Sequence, residues 1–377
     1  MAATLMVWLL ALTVPIAAVA QSPERADEPP TRLADLLASK ADGGFARALA
    51  PRPFNFPGDH GPHPEFRNEW WYFTGNLDDE AGRRFGFEVT FFRFALAPAV
   101  AQTESAWRSR QVYIAHLALS DAGEGRFRFG QRYSRGALGL AGAQAEPFRV
   151  WLEDWQAAEG VDGREWELVA EDDDFAIELS LVPLRAPVLH GQDGLSQKSS
   201  EAGNASYYYS ITRLETTGTL RVGDRAYRVA GLTWLDREWS SSALAAGQAG
   251  WDWFALQLSD GSDLMFYSLR RKDGSRHEAS AGSWISPHGE VTHLSSGDVE
   301  IMVLDHWSSP QGGSYPAQWR LRVPRLGLDV SVTPIIPDQE LITTVRYWEG
   351  AVDVAGERGS TSISGRGYVE LTGYADN

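Results

Sequence analysis

Three charged residues in a row, Asp236-Arg237-Glu238, stand between Trp234 and Trp239 at the end of an apolar run. In a strand, successive side chains point to opposite faces, so Asp236 and Glu238 share one face and Arg237 takes the other. A carboxyl group enclosed by aromatic rings has its charged form disfavoured. Its pKa rises and it can donate a proton near neutral pH. Protonating an alkene or polarising an ester needs such a group, which makes Asp236, Glu238 and Arg237 the candidate catalytic residues. The structural alternative is an ion pair that holds two domains in register, with Arg93 or Arg270 as partner.

A second constellation begins at Phe56-Pro-Gly-Asp-His-Gly-Pro-His and ends in Glu69-Trp-Trp-Tyr-Phe73. His60, His63 and Glu69 carry ligand types that suit zinc, but Gly61-Pro62 makes a turn and the H-E-x-x-H helix motif is absent. The loop therefore reads as a closure of the first domain or as a ligand contact, and no metal site is assigned. Trp70, Trp71 and Tyr72 follow, and Trp251-Asp252-Trp253 repeats the aromatic theme. Such residues dominate packing wherever they lie, and they can also line an apolar ligand site. Asp252 beside Trp faces suits cationic character in a substrate. Trp239 joins this group. His116, in Tyr113-Ile-Ala-His-Leu-Ala-Leu119, shares a face with Ile114 and Ala118. It is either a hydrogen-bonded core residue or an acid–base group inside a barrel. No Gly-x-Ser-x-Gly elbow supports a serine nucleophile, and no phosphate-binding glycine loop or dinucleotide fingerprint implies a cofactor.

The elements that must position these groups are strands. Phe85, Phe87, Val89 and Phe91 alternate with Gly86, Glu88, Thr90 and Phe92, the period of a strand, and Gln111–Ser120 alternates likewise. Further strands are expected at 126–133, 148–155, 165–170, 176–182, 207–215, 218–222 and 227–234, with a Gly223-Asp224 turn. In the second half they are expected at 251–258, 264–270, 281–286, 299–305, 317–323, 328–334, 347–354 and 364–371. Leu184–Glu201, with Pro187 and two glycines, reads as a long loop. Thr31 is placed to cap a short helix over Leu33–Ala48. Many short strands with regular turns indicate an all-β sandwich or barrel. Trp71–Leu77, a turn and Phe85–Arg93 line up with Asp252–Leu258, a turn and Leu264–Arg270, which predicts two copies of one hairpin-led module.

The chain has 377 residues, enough for two domains, and 43% apolar residues. It has no cysteine, which excludes disulfides and thiolate chemistry. A formal charge of −16 disfavours nucleic acid and anionic membranes and favours a neutral, apolar or cationic ligand. Leu5–Val19 is almost continuously apolar and Ala18-Val19-Ala20 fits a signal-peptidase site, so export to the periplasm or beyond is expected after cleavage at Ala20.

The motifs Phe56-Pro-Gly-Asp-His-Gly-x-His and Asn68-Glu-Trp-Trp-Tyr-Phe-Thr-Gly75 resemble the opening of the AttH-like and carotenoid 1,2-hydratase (hydroxyneurosporene synthase) superfamily. Gly231–Ser240, Gly250–Leu258, Tyr347-Trp-Glu-Gly350 and Gly365–Gly373 agree, so the resemblance covers roughly residues 52–375. It implies two lipocalin-like (calycin) antiparallel β-barrels packed side by side, divided as a leader over 1–20, an extension over 21–55, and barrels over 56–240 and 241–377. It also implies either cofactor-free hydration or isomerisation of a hydrophobic or aromatic small molecule, or a non-catalytic periplasmic role beside ABC transporter components. The protein is expected to act as a monomer. The hydratase branch carries a His where Arg237 stands, and a downstream Tyr and Asp. Tyr267 matches the former, and Ser268-Leu269 follows it without an Asp. These departures favour the non-catalytic role.

Overall fold

The computed structural model describes residues 31–32, 44–98, 109–240, 244–245 and 247–374. The apolar leader and most of the expected helix, Leu33–Gly43, lie outside them. Thr31–Arg32 is not a helix cap. It is a two-residue strand paired in parallel with Val345–Arg346, and Gly44–Ala48 is not helical. The regular structure among the described residues is strand, apart from three short 3-10 turns.

The strands form two large sheets that follow the same path. In the first, Asn68–Asp79 pairs with Arg84–Ala95 on one side and with Arg225–Ser240 on the other. In the second, Gln248–Leu258 pairs with Asp263–Arg271 and with Thr361–Thr372. Each opening strand is thus hydrogen-bonded to the second and to the last strand of its own sheet, which curls that sheet towards closure. Each path is open between two strands that are neighbours in sequence: Arg126–Arg135 and Ala141–Gln144 in the first, Val291–Ser295 and Glu300–Ser308 in the second. One sheet nearly closes into a barrel and the other forms a half-barrel. The segments matched in sequence, Trp71–Leu77 and Asp252–Leu258, lie in the opening strands of the two sheets.

Alternation then sorts the aromatics. Trp71, Phe73 and Leu77, with Phe85, Phe87, Val89 and Phe91, fill the first barrel. Phe254, Leu256 and Leu258 do the same in the second. Each such aromatic removes roughly 150–250 Å² from water, worth about 4–6 kcal/mol before entropy costs. The intervening residues do not face solvent. Tyr72 and Trp234 of the first sheet pack with Trp253, Ala255, Met265 and Tyr368 of the second. Both faces of the opening strands are buried, which accounts for an unbroken run of four large rings.

Polar groups on these facing sides bond across the seam. Asn76 donates to the Gly367 carbonyl at 2.9 Å, Ser120 to Gln339 Oε1 at 2.5 Å, and Gln257 to the Thr212 carbonyl at 2.6 Å. Asp263 accepts from Arg185, Thr212 and Arg213, each at 2.8 Å. The expected long loop over 184–201 is tied down: Val188–Leu189 and Leu195–Gln197 both pair with Ala205–Val222. That strand runs unbroken where two were expected. The single strand expected over Phe148–Trp155 is instead a hairpin, Arg149–Leu152 and Trp155–Glu159, turning at Glu153 with φ 58°.

At Gly86 the two sheets approach closely. A Cβ added there would stand 2.3 Å from the Ala351 Cβ. Gly86→Val should therefore wedge the barrels apart and destabilise the protein by about 1–3 kcal/mol. Thermal unfolding should show a lowered Tm, and an unchanged Tm would mean that the seam yields freely.

Candidate active site between the barrels

The strand Arg225–Ser240 splits its charges between two environments. Arg237 points into the first barrel, stacks on Trp71 with its guanidinium 3.9 Å from the ring centroid, and donates to Glu69 and to the Gly61 carbonyl. Glu69 also accepts from Arg93 and from the His63 backbone N–H at 3.0 Å. Burial opposes the Glu69 charge, but Arg93 and Arg237, with His63, override it and hold the pKa well below the ordinary carboxylate range. Arg237 can only donate, and it sits 3.2 Å from His63 Nδ1. His63 therefore carries its proton on Nε2, 3.0 Å from Asp59 Oδ1, while its ring stacks on Trp239 at 3.7 Å. His60 meets the Tyr209 hydroxyl at 2.6 Å, and burial with nearby Arg237 lowers its pKa to about 4. The Asp59–His63 loop is a latch on the first barrel.

Asp236 and Glu238 face the other way, into a pocket between the barrels. Its wall is largely aromatic: Trp70, Tyr72, Phe92, Trp251, Trp253 and Tyr267, with Leu269. The polar lining is Lys198, Tyr208, Asp236, Glu238, Glu349 and Glu370, and the atom-free space is about 640 Å³ with the open mouth included. Asp236 is 4% exposed. It accepts hydrogen bonds from Tyr208, from Ser210 and from the Trp234 indole at 2.6 Å. Burial outweighs these bonds and lifts its pKa to about 7. Glu238 accepts from Ser206 and lies 3.2 Å from Lys198 Nζ. Burial works against the Lys198 charge, but Glu238 and Tyr267 raise its pKa overall.

Two carboxyls enter from the second barrel. Burial, opposed by the Trp251 side chain, lifts Glu370 to about 8. Burial and the neighbouring Glu370 and Glu88 push Glu349 well above the ordinary range. Behind Asp236 runs a chain of bonds that spans both sheets. His190 Nδ1 lies 2.9 Å from Ser283 Oγ and its Nε2 2.6 Å from Ser210 Oγ. Because Ser210 spends its proton on Asp236, its oxygen accepts from His190 Nε2–H. Burial keeps His190 neutral, so it fixes Ser210 without adding charge. A pocket with proton-rich carboxyls among aromatic faces can donate a proton to an apolar, unsaturated molecule and stabilise the cation that forms.

Of the residues singled out in the sequence, Trp70, Tyr72, Asp236, Glu238, Trp251, Trp253 and Tyr267 line this pocket. Trp71, His60, His63, Glu69, Trp239 and Arg237 do not, since alternation or the loop sends them to the first barrel's interior. Asp252 turns away too, onto Arg270 Nε at 2.9 Å and the Tyr374 hydroxyl at 2.9 Å. His116 is not inside a barrel. It lies in the seam, bonded to the Tyr347 hydroxyl at 2.6 Å and to Gln131 at 2.9 Å, and burial lowers its pKa to about 3. Neither Arg93 nor Arg270 pairs with Asp236 or Glu238, which removes the inter-domain ion pair. Lys198, Tyr208, Phe92, Leu269, Glu349 and Glu370 escaped the sequence reading. A Glu within an otherwise apolar stretch, Glu349 in residues 347–352 and Glu370 in residues 368–371, was the available signal. Lys198, in a polar loop, gave none.

The AttH-like family model matches residues 47–374. The chain belongs to the AttH-like family. An AttH-type protein of Nitrosomonas europaea, solved by crystallography, is 35% identical, covers 88% of this chain and 100% of its own, and superposes with a TM-score of 0.77. Kievitone hydratase of Fusarium solani subsp. phaseoli is 24% identical over 194 residues, 48% of this chain and 55% of that enzyme, so the AttH-like chain spans about half the length of that relative. The crystal structure of kievitone hydratase from Nectria haematococca shares the fold at 14% identity, 90% and 98% coverage and a TM-score of 0.66.

Two measurements test this assignment of charges. Arg237→Leu should cost about 3–5 kcal/mol in urea unfolding, because it leaves Glu69 buried with one guanidinium fewer. A loss below about 1 kcal/mol would remove Arg237 from the latch. The raised Asp236 pKa means that the folded protein binds a proton the unfolded chain lacks between pH 3.8 and about 7. Stability therefore falls as pH rises through that window, by at most ~4 kcal/mol from this group. Asp236→Asn should flatten the slope of unfolding free energy against pH there. A slope that stays the same would place the titration elsewhere.

Proposed function

We propose that this AttH-like protein is an exported, lipocalin-like hydratase-type enzyme that binds a hydrophobic, unsaturated small molecule between its barrels. The observation that carries the reading is the pocket itself, where Asp236, proton-bearing near neutral pH, shares an aromatic-walled space with Glu238 and Lys198. The hydratase relatives support it and do not favour an accessory role beside an ABC transporter. The departure at Arg237 carries no weight against it, because Arg237 faces the first barrel. The departure at Leu269 leaves an apolar patch in the pocket and moves the acid role to Asp236.

In this reading Asp236 gives its proton to one alkene carbon as the π bond breaks. The cation on the other carbon is held against the faces of Trp70 and Trp253. Water adds its oxygen to that carbon, and the proton it sheds returns to the Asp236 carboxylate. The sum is alkene plus water giving an alcohol. Tyr208, Ser210 and Trp234 fix the carboxyl, and Glu238 with Lys198 orients the water. Loss of the carbocation's neighbouring proton instead would give isomerisation. No cofactor enters. The Leu5–Val19 leader supports export, with Ala20 as the last residue removed.

Incubation of the protein with a panel of polyenes and alkenyl arenes in oxygen-18 water should yield an alcohol bearing the label. Asp236→Asn should lose at least about a hundredfold of that turnover, the usual scale for a general acid, without a fall in Tm at neutral pH. Persistence of turnover in Asp236→Asn would end its role as acid.

A further inference from the structure

Of the residues that line the inter-barrel pocket, Glu349 alone has a buried side-chain oxygen, Oε1, without a hydrogen-bond partner among the described residues. The side chain is fully buried. Its other oxygen, Oε2, accepts from the Tyr72 hydroxyl at 2.8 Å. A buried polar atom left unbonded is costly, and a site built to bond a ligand's polar group pays that cost when empty. Resting on the pocket being the ligand site, we propose that Glu349 is its polar anchor. The ligand is then a neutral, mainly apolar molecule bearing an acceptor oxygen, a carbonyl or an ether, that takes a hydrogen bond from Glu349.

The surrounding groups set the direction of that bond. Tyr72 donates to Oε2, so in the neutral carboxyl Oε2 is the carbonyl oxygen and the proton sits on Oε1. Burial, Glu370 and Glu88 all disfavour ionisation of Glu349, which keeps it a donor. Lys198, the pocket's cation, is engaged with Glu238, so a ligand anion finds no free charge there. A ligand cation would need a free ionised carboxylate, but burial disfavours the charged forms of Asp236, Glu349 and Glu370, and Glu238 is already paired with Lys198. The Asp236 side and the Glu349 side belong to different barrels, one on Arg225–Ser240 and one on Val345–Arg358. Anchoring at Glu349 would therefore present the apolar remainder of the molecule to the first barrel's acid.

Three naphthalene probes of similar size separate the possibilities: acetylnaphthalene, isopropylnaphthalene and a naphthyltrimethylammonium salt, each titrated by quenching of tryptophan fluorescence. The ketone should bind roughly tenfold tighter than the hydrocarbon below neutral pH, the scale of one net hydrogen bond. The preference should shrink as pH rises and Glu349 ionises. It should vanish in Glu349→Leu and persist, now independent of pH, in Glu349→Gln, whose amide still donates. Equal binding of ketone and hydrocarbon to the native protein overturns the proposal. So does tightest binding of the ammonium probe with affinity that grows with pH, which would mark a cation site. Binding of the hydrocarbon without a ketone preference removes this anchor but leaves the pocket reading intact. Failure of all three probes to bind removes both.

Discussion

Two sheets that cover each other's outer faces are the constraint on which the rest depends. A lipocalin-like barrel standing alone would turn Trp70, Tyr72 and Glu88 to water. Here the second sheet takes the place of that water. Every polar group on the facing sides must then find a partner across the seam or lose its hydration without return. Most find one, as Asn76, Ser120 and His116 do. Where the rings hold the sheets apart, the pocket remains, and its carboxyls are the groups whose charge is least well compensated.

The same few residues show how strongly environment decides chemistry. Glu69 and Asp236 lie on two paired strands of the first sheet, yet Glu69 meets two guanidiniums and serves as an ionised structural hub. Asp236, one residue from Arg237, receives only neutral donors and keeps its proton to about pH 7. The difference is a matter of face. A one-residue change of register would exchange the two roles along the whole strand.

Much of the architecture was legible in the chain. The period-2 pattern over Phe85–Phe92, the echo of Trp71–Leu77 in Asp252–Leu258 and the opposite facing of Asp236 and Arg237 all follow from local rules. The misreadings have a common cause. His60, His63 and Glu69 look like ligands because they are close in sequence, but strand pairing gives them partners from distant segments: Tyr209, Trp239, Arg93 and Arg237. The Leu184–Glu201 segment looked free because Gly and Pro are loop residues. Its short pairings with Ala205–Val222, which bring Lys198 to the pocket, are non-local and leave no local trace.

The sequence by itself determined the strand period, the number of modules and which residues could share a face, because those depend on neighbours along the chain. Only the tertiary structure decided which face was interior and which was seam. It alone set Glu349 and Glu370 in the same pocket wall as Asp236, and turned Trp71 and Arg237 away from it. The physical reason is that a side chain's dielectric surroundings and partners are set by how two sheets pack, and packing joins residues more than a hundred positions apart that carry no mark of one another.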